Sequence, residues 1–390
     1  MTTVLTHATF YTGEADPAVI KDGYVRFNQQ IEAIGTMADY VPAAGDEVIN
    51  LTGKVIVPGF IDVHTHGAYG FDTMDGNQDD LVKMVRSQIT EGITTVFPTT
   101  MTQSTESISQ AMRAINAAAA EEPAIVGVHL EGPFVSPHYK GAQPEQYIIA
   151  PSADLVAQWN ELSGNRVRLI TYAPEEADDL AGFEEYLLAH NIIGSIGHSN
   201  ASREFLQNNS KANHITHLYN AQRPMKHRDP GVTGHAMLED SIRTELIVDG
   251  FHVAPDMVKL AYKLKSAKRI DLITDSMRAK GLGDGVSELG GQTVYVKDKQ
   301  ARLEDGTLAG SVLEFDDAFR NIINFTGASI QEAVEMAAVN QAVEFGLTQK
   351  GTLRIGKDAD MNVFDGNLSL LATYSMGRHF SKQDLVIKEA

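Results

Sequence analysis

The chain has 390 residues, a formal net charge of −19 and no cysteine. The length suits one large domain with a smaller one beside it, and the acidic balance argues against nucleic-acid and anionic-membrane partners. Without cysteine, disulfides and thiolate ligands are excluded, so any metal must be bound by His, Asp or Glu. We find no signal peptide and no apolar run of about 18 residues, and therefore expect a cytoplasmic protein.

Both ends of the chain are rich in short β-strands. Residues 1–53 carry alternating apolar residues punctuated by Gly and Asp-Gly, and the carboxyl end returns to the same pattern. We expect residues 1–53 and 355–390 to form a small β-sandwich domain beside a barrel of residues 54–354.

Between the ends, apolar strand-like runs alternate with helical patterns. Eight such runs predict an α/β protein with a (β/α)8 TIM-like barrel. A doubly wound open sheet is the alternative, but no Gly-rich nucleotide-binding motif follows any of the runs. The predicted strands are residues 55–64, 93–99, 124–131, 167–175, 192–199, 214–220, 245–253 and 270–276.

After about residue 285 the pattern changes again. Residues 290–311 predict a hairpin with turns at Lys297-Asp298 and Asp305-Gly306. Two helices should follow, the first beginning near Phe315 and the second capped by Ser329.

Six of the eight predicted strands end in, or carry, ionisable side chains. The active site of a (β/α)8 barrel lies at the carboxyl ends of its strands, so these groups should meet there. Burying so many of them without a metal or substrate would cost several kcal/mol. The residues are His64 and His66, His129 and Glu131, His198, His214 and His217, Asp249 and His252, and Asp275.

A metal centre is the simplest interpretation of this pattern. Glu131, His198 and His217 form the best three-ligand set, because catalytic metal sites keep a fourth position open. His64 and His66 lie on one face of their strand and could hold a second metal, with Glu131 as a bridge. We expect one or two divalent ions, and these ligands suit Zn, Fe, Mn or Co alike.

Asp275 is the predicted proton carrier. A divalent ion lowers the pKa of its water and polarises a carbonyl, and Asp275 could take the proton and return it to a leaving group. We interpret His129 as structural or supporting, and expect His214 to face away from the metal.

The motifs PGFIDVHTHG, HLEGPF, GHS, THLYNA, DGFHV and TDSM together resemble the amidohydrolase superfamily. Within it they are most similar to the N-acetylglucosamine-6-phosphate deacetylase family, over nearly the whole chain. Other branches often carry a carboxylated lysine on the fourth strand, whereas VRLITYAPE contains none. The resemblance implies hydrolysis of the acetamide of N-acetylglucosamine 6-phosphate, a sugar-phosphate substrate, by a homodimer.

The resemblance also implies roles for individual residues. Glu131, His198 and His217 would bind the main metal, and Asp275 would act as general base and then general acid. Arg228 suits a phosphate because its guanidinium donates in a bidentate fork. Some members carry His in place of Gln143, which leaves open what polarises the acetyl carbonyl. The implied substrate-binding residues are Ala142, Gln143, Asn220, Ala221, Arg228, Asp249, His252, Leu308, Ala309 and Gly310.

Two other functions stay open at this point. A deaminase or cyclic-amide hydrolase could use the same metal ligands. A scaffold protein could keep the barrel without catalysis, although such a protein should have lost its ligands or Asp275, and this chain keeps them.

Overall fold

The structure is a computed structural model that describes residues 2–388, so residues 1, 389 and 390 of the predicted small β domain lie outside the described residues. The amino end forms strands around β1, which pairs antiparallel with β2 and parallel with β4 and β5. These strands are β1 (Thr2–Tyr11), β2 (Val19–Phe27), β3 (Ile31–Thr36), β4 (Asp46–Asn50) and β5 (Val55–Pro58).

The middle of the chain supplies eight barrel strands and one short hairpin, β7–β8, in the loop after β6. The strands are β6 (Phe60–Thr65), β7 (Gly67–Ala68), β8 (Phe71–Asp72), β9 (Ile93–Pro98), β10 (Val128–Glu131), β11 (Val167–Tyr172), β12 (Ile193–Ile196), β13 (His214–Ile215), β14 (Arg243–Ile247) and β15 (Ile270–Ile273).

The barrel is closed. Strands β10 to β15 form one parallel sheet in chain order, and β6 pairs parallel with β9. A bridge between Val96 and Ile125 joins β9 to the segment before β10, and a bridge between Thr65 and Ser276 brings β6 to the segment after β15. The predicted barrel is therefore confirmed, and the doubly wound open sheet was the wrong alternative.

The first predicted strand, residues 55–64, is divided at Gly59. Val55–Pro58 pairs with strands of the chain ends, whereas Phe60–Thr65 belongs to the barrel. A Cβ on Gly59 would lie 2.2 Å from Thr94 Oγ1, so the chain can pass from one sheet to the other here only with glycine.

Helices surround the barrel and pack apolar side chains against it. Five of the first seven begin with a side chain that accepts a hydrogen bond from a first-turn N–H, namely Asn77, Ser104, Ser152, Asp179 and Ser202. The first seven helices are α1 (Gln78–Ile89), α2 (Thr105–Glu121), α3 (Ala153–Leu162), α4 (Leu180–Ala189), α5 (Arg203–Asn209), α6 (Gly231–Leu238) and α7 (Pro255–Lys265). Among residues 2–388, no helix combines the length and apolar character that a membrane crossing requires.

The predicted hairpin is part of a three-stranded sheet: β16 (Gly285–Leu289), β17 (Gln292–Lys297) and β18 (Gln300–Arg302). The first turn was predicted one residue too early. Lys297 pairs with Gln300, so the turn residues are Asp298 and Lys299, both with positive φ. The turn at Asp305-Gly306 is confirmed by the bond from Leu303 N–H to Thr307 O.

Three more helical segments follow, α8 (Phe315–Thr326), α9 (Ile330–Val334) and α10 (Asn340–Glu344), with a π-helical turn at Glu335–Val339. The predicted start at Phe315 is confirmed. Ser329 forms a capping box with Glu332, which also confirms the second predicted start.

The carboxyl end returns to the first sheet with β19 (Met361–Phe364), β20 (Leu370–Ser375) and β21 (Arg378–Phe380). Three strands separate β2 from β20 in this sheet, a distance of roughly 19 Å if it were flat. Phe27 of β2 and Tyr374 of β20 nevertheless have ring centroids 5.1 Å apart. The sheet therefore folds over on itself into two facing layers. Both chain ends contribute to it, while the exact domain limits stay a prediction.

A buried ion pair supports the first stability prediction. Lys280 Nζ lies 3.0 Å from Glu91 Oε2, and both side chains are fully buried. Lys280→Met should lower the free energy of unfolding by about 3–5 kcal/mol, because it leaves the buried Glu91 carboxylate with the neutral donor Tyr69 but without its cationic partner. Lys83→Met is the matched control, since exposed Lys83 lies 3.8 Å from Asp80 and such pairs contribute roughly 0–1 kcal/mol. Equal urea-unfolding curves for the two variants would contradict the prediction.

Candidate active site

A cavity of about 200 Å³ opens at the carboxyl ends of the barrel strands. Met101, Gly141, Leu289 and Thr307 also line it, and sequence reasoning missed them because none carries an ionisable group. Twelve of the sixteen predicted site residues line this cavity: His66, Glu131, Ala142, Gln143, His198, His217, Asn220, Ala221, His252, Asp275, Leu308 and Gly310.

The other four predicted site residues lie outside the cavity wall. His64 and Ala309 are fully buried, and Asp249 accepts a hydrogen bond of 2.6 Å from His252 Nδ1. Arg228 is exposed on the loop after β13. The roles assigned to these residues stay predictions.

Glu131, His198 and His217 bring three ligand atoms together. Glu131 Oε1 lies 3.2 Å from His198 Nε2 and 3.1 Å from His217 Nε2, and the two nitrogens are 3.1 Å apart. Ligand atoms about 2.0–2.1 Å from a tetrahedral zinc ion would lie roughly 3.3 Å from one another. The triangle therefore fits a divalent metal, and all three residues line the cavity, which leaves a fourth coordination position open on that side.

A second cluster adjoins the first through Glu131. His66 Nε2 lies 3.2 Å from Glu131 Oε2, and His64 Nε2 lies 3.5 Å from Glu131 Oε1. Asp275 Oδ1 lies 3.2 Å from His66 Nε2 and 3.4 Å from His64 Nε2. His64, His66 and Glu131 could together hold one ion, with Asp275 beside it and Glu131 shared between the two clusters.

Three of these residues have left-handed backbone conformations. The φ angles are +48° at His198, +29° at His217 and +48° at Asp275. Such angles are uncommon outside glycine and cost on the order of 1–3 kcal/mol each. Backbone bonds hold them: Ser136 N–H donates to His198 O, and Asp275 N–H donates to His64 O, both at 2.8 Å. The fold thus imposes strain where each strand gives way to its loop.

Hydrogen bonds orient two of the ligand rings. His198 Nδ1 lies 2.9 Å from the carbonyl oxygen of Tyr139, which can only accept, so Nδ1 carries the proton. His64 Nδ1 lies 2.8 Å from Glu245 Oε2. In both rings Nε2 faces the centre, where it would be the atom that binds a metal in place of a proton.

Electrostatics keep both central carboxyl groups ionised. Burial raises the pKa of Glu131, but the charge of His64 and hydrogen bonds from His198 and His217 outweigh it and hold the pKa well below its usual range. Burial likewise opposes ionisation of Asp275, yet His64 and His66 lower its pKa. Two negative oxygen donors among imidazoles are what a divalent cation requires.

Gln143 lies against Glu131. Its Nε2 donates to Glu131 Oε2 at 2.9 Å, and its Oε1 accepts from Thr102 N–H at 2.9 Å. One end of the amide therefore orients the shared carboxylate, and the other end is anchored to the loop after β9.

The remaining strand-end histidines turn away from the centre. His129 bonds to Val63 O at 3.1 Å and to Thr171 Oγ1 at 2.7 Å. Burial and the neighbouring His64 lower the pKa of His129 to about 3, so it is a neutral packing residue. His214 bonds to Glu344 at 3.0 Å, on the side away from the cavity.

Sequence reasoning missed one charged residue, Glu245. It is fully buried in β14 and contacts both His64 and His217. The available signal was a carboxylate at the start of the apolar run ELIV, where burial demands a partner.

Comparison with known proteins now decides the family. The model of the Amidohydrolase family matches residues 55–388. The chain belongs to the amidohydrolase family. This is a family of metal-dependent enzymes, in agreement with the two ligand clusters.

Similar proteins narrow the assignment. N-acetylglucosamine-6-phosphate deacetylase of Lysinibacillus sphaericus is 42% identical over 350 residues, which cover 88% of this chain and 90% of that protein. The crystal structure of the Thermotoga maritima enzyme of that name has a TM-score of 0.86 at 34% identity and covers 96% of this chain and 99% of that one. A mutant of the Mycobacterium smegmatis enzyme, solved with N-acetyl-D-glucosamine-6-phosphate, has a TM-score of 0.89 at 28% identity, covering 97% and 99%. The predicted resemblance is confirmed.

The shared position of Glu131 predicts unequal losses of metal. Glu131→Gln should remove most bound metal, because the residue belongs to both clusters. His64→Asn should remove only the ion of the second cluster and leave some activity. Elemental analysis of purified protein measures both. The control is His235→Asn, which changes a buried histidine of α6 outside the ligand clusters found among residues 2–388. Equal, complete loss in both test variants would contradict two distinguishable sites.

Proposed function

We propose that this protein hydrolyses the acetamide of N-acetyl-D-glucosamine 6-phosphate to D-glucosamine 6-phosphate and acetate, a step of amino-sugar catabolism. The observation that carries the proposal is the carboxylate-bridged pair of ligand clusters with Asp275 at the cavity. The names of the similar proteins, and the sugar phosphate bound to one of them, support this substrate.

Two divalent ions are the arrangement that the ligand geometry supports best. Glu131, His198 and His217 would hold one, and His64 and His66 would hold the other with Asp275 beside it. Zn, Fe, Mn and Co all accept imidazole and carboxylate ligands. Such an ion would supply a water of lowered pKa and would polarise the acetyl carbonyl.

Asp275 is suited to move the proton. Its lowered pKa keeps it as a carboxylate that can accept a proton from the attacking water. Once protonated, the Asp275 carboxyl group lies in the cavity wall and can donate the proton to the departing amine. Asp275 is 9% exposed, so bulk water has little access to that proton.

The cavity offers different surroundings to the two ends of the substrate. Met101, Leu289 and Leu308 are apolar lining residues suited to the sugar and its acetyl group. His252 suits the phosphate: burial lowers its pKa, but the hydrogen bond and charge of Asp249 outweigh this, so the pKa is raised. Asn220 adds a hydrogen-bonding side chain to the wall.

No Lys or Arg among residues 2–388 lines this cavity, so histidines are the basic side chains that a phosphate would meet there. Arg228 is exposed and does not line the cavity of its own chain. We infer that the protein is a homodimer in which Arg228 reaches the phosphate from the neighbouring copy. The overall charge of −19 makes a local guanidinium the more necessary for an anionic substrate.

Acetate release from N-acetylglucosamine 6-phosphate tests the proposed function. The protein should release acetate, lose this activity to a chelator, and regain it with a divalent metal. Asp275→Asn should lower kcat by about 100-fold to 10,000-fold while metal content stays near normal, because a positioned acid–base contributes that much. Asp284→Asn, a change in an exposed carboxylate, is the control. Equal turnover of unphosphorylated cyclic amides or amines would favour another amidohydrolase reaction.

Arg228→Ala tests the phosphate contact. We expect KM for the sugar phosphate to rise about 10-fold to 100-fold, since a charge-assisted hydrogen bond contributes ~1.5–3 kcal/mol. Turnover of unphosphorylated N-acetylglucosamine should not change, and Arg113→Ala, an exposed arginine of α2, should change neither.

Subunit mixing tests whether Arg228 acts across an interface. Arg228→Ala and Asp275→Asn chains, unfolded and refolded together, should show about one quarter of wild-type activity at substrate concentrations below the wild-type KM, where each variant alone is nearly inactive, because half of the dimers then contain one intact site. If the mixed dimers are no more active than the separate variants, Arg228 either acts in the active site of its own chain or contacts neither active site.

A further inference from the structure

Glu245 is a buried carboxylate outside the proposed ligand set that contacts a residue of each ligand cluster. Its Oε2 lies 2.8 Å from His64 Nδ1 and accepts from His217 N–H at 3.1 Å. His64 belongs to one ligand cluster and His217 to the other. We propose that Glu245 is a positioning residue that sets the geometry of both metal-ligand clusters through this one oxygen.

The first contact determines how His64 presents its ring. An ionised carboxylate only accepts hydrogen bonds, so His64 Nδ1 carries the proton and donates to Glu245. Nε2 is then the ring atom left to bind a metal, and it lies 3.5 Å from Glu131 Oε1 and 3.4 Å from Asp275 Oδ1. A carboxylate behind a histidine ligand fixes its tautomer and orientation, and strengthens it as a metal ligand.

The second contact determines where His217 lies. The Nδ1 atom of His217 has no hydrogen-bond partner among the described residues, so its ring is not held from behind. The backbone is held instead. His217 N–H donates to the Glu245 side chain, and Leu218 N–H donates to Glu245 O at 2.9 Å. These two hydrogen bonds to Glu245 stabilise the backbone at His217, where φ is +29°, a conformation that persists only when the surrounding structure supports it.

The other oxygen of Glu245 is turned to the opposite side. Oε1 lies 3.4 Å from His214 Nε2, and His214 Nδ1 lies 3.0 Å from Glu344 Oε1. Burial lowers the pKa of His214, but Glu344 and Glu245 outweigh it and raise the pKa to about 10, so His214 is a cation at neutral pH. This buried cation holds the carboxylate in place, leaving Oε2 directed at the two ligands.

The inference rests on the proposed metal site, and it differs from a general role in stability. If Glu245 served only to balance the buried charge of His214, its charge would matter and the position of its oxygens would not. If Glu245 positions the ligands, the position of Oε2 matters more than the charge.

Two variants separate these cases. Glu245→Gln keeps the side-chain length, and its carbonyl oxygen can still accept from both His64 and His217 without a charge. Glu245→Asp keeps the charge but withdraws the acceptor by one carbon–carbon bond. The control is Glu184→Gln, because Glu184 is a buried carboxylate that accepts hydrogen bonds from Tyr172 and Ser210 and lies outside the ligand clusters found among residues 2–388.

The readouts are metal affinity by chelator competition and the visible absorption spectrum of the Co(II)-substituted protein. Glu245→Asp should lower metal affinity about 10-fold to 100-fold and alter the spectrum, the usual effect of losing a hydrogen bond behind a ligand. Glu245→Gln should keep most of both, and Glu184→Gln should match the wild type.

A Glu245→Asp protein with wild-type affinity and spectrum would overturn the positioning role, and so would a Glu245→Gln protein that is the more impaired of the two. Wild-type protein that takes up no metal would overturn the proposed function and this inference with it. Wild-type metal binding separates the two failures, because the Glu245 variants then test the positioning role alone.

Discussion

Four imidazoles converge on one buried carboxylate, and the rest of the site depends on that arrangement. The Nε2 atoms of His64, His66, His198 and His217 all lie 3.1–3.5 Å from an oxygen of Glu131. Glu131 is 2% exposed, so its charge is stable only because those rings and Gln143 surround it. A closed parallel barrel can provide such a point, since strands distant in sequence end together at one face.

Placing the ligands at this point requires strained backbone conformations, which the rest of the barrel stabilises. His198, His217 and Asp275 have positive φ, each just after a strand, where the chain turns from the sheet into a loop. Each strained residue is bonded at its backbone to another part of the fold: His198 to Ser136, His217 to Glu245, and Asp275 to His64 and Ser311. Strain is tolerated because these surrounding bonds determine the conformation more strongly than the local preference does.

Charge in this molecule is arranged on two scales. The whole chain carries −19, which favours solubility and disfavours polyanionic partners. Locally, imidazoles and His252 create a cavity able to accept an anionic sugar phosphate. Glu245, His214 and Glu344 extend the ionic network from the metal ligands through the barrel interior. The metal ligands are thus backed, inside the barrel, by charges that alternate in sign.

The sequence by itself determined the barrel, its alternating elements and most of the ligand set, because these depend on local periodicity and on motifs at strand ends. The two predicted helix starts at Phe315 and Ser329 were local as well.

The tertiary structure decided the rest. The first predicted strand divides at Gly59, and the position requires glycine because Thr94 leaves no room for a Cβ, a contact that no local pattern shows. Glu245 acquires its role only when the fold places it against His64, 181 residues away. Gln143 turned out to hold the shared carboxylate, and Arg228 turned out to lie outside its own cavity. Periodicity indicates which face of a strand is buried, whereas the partner on that face is set by long-range packing.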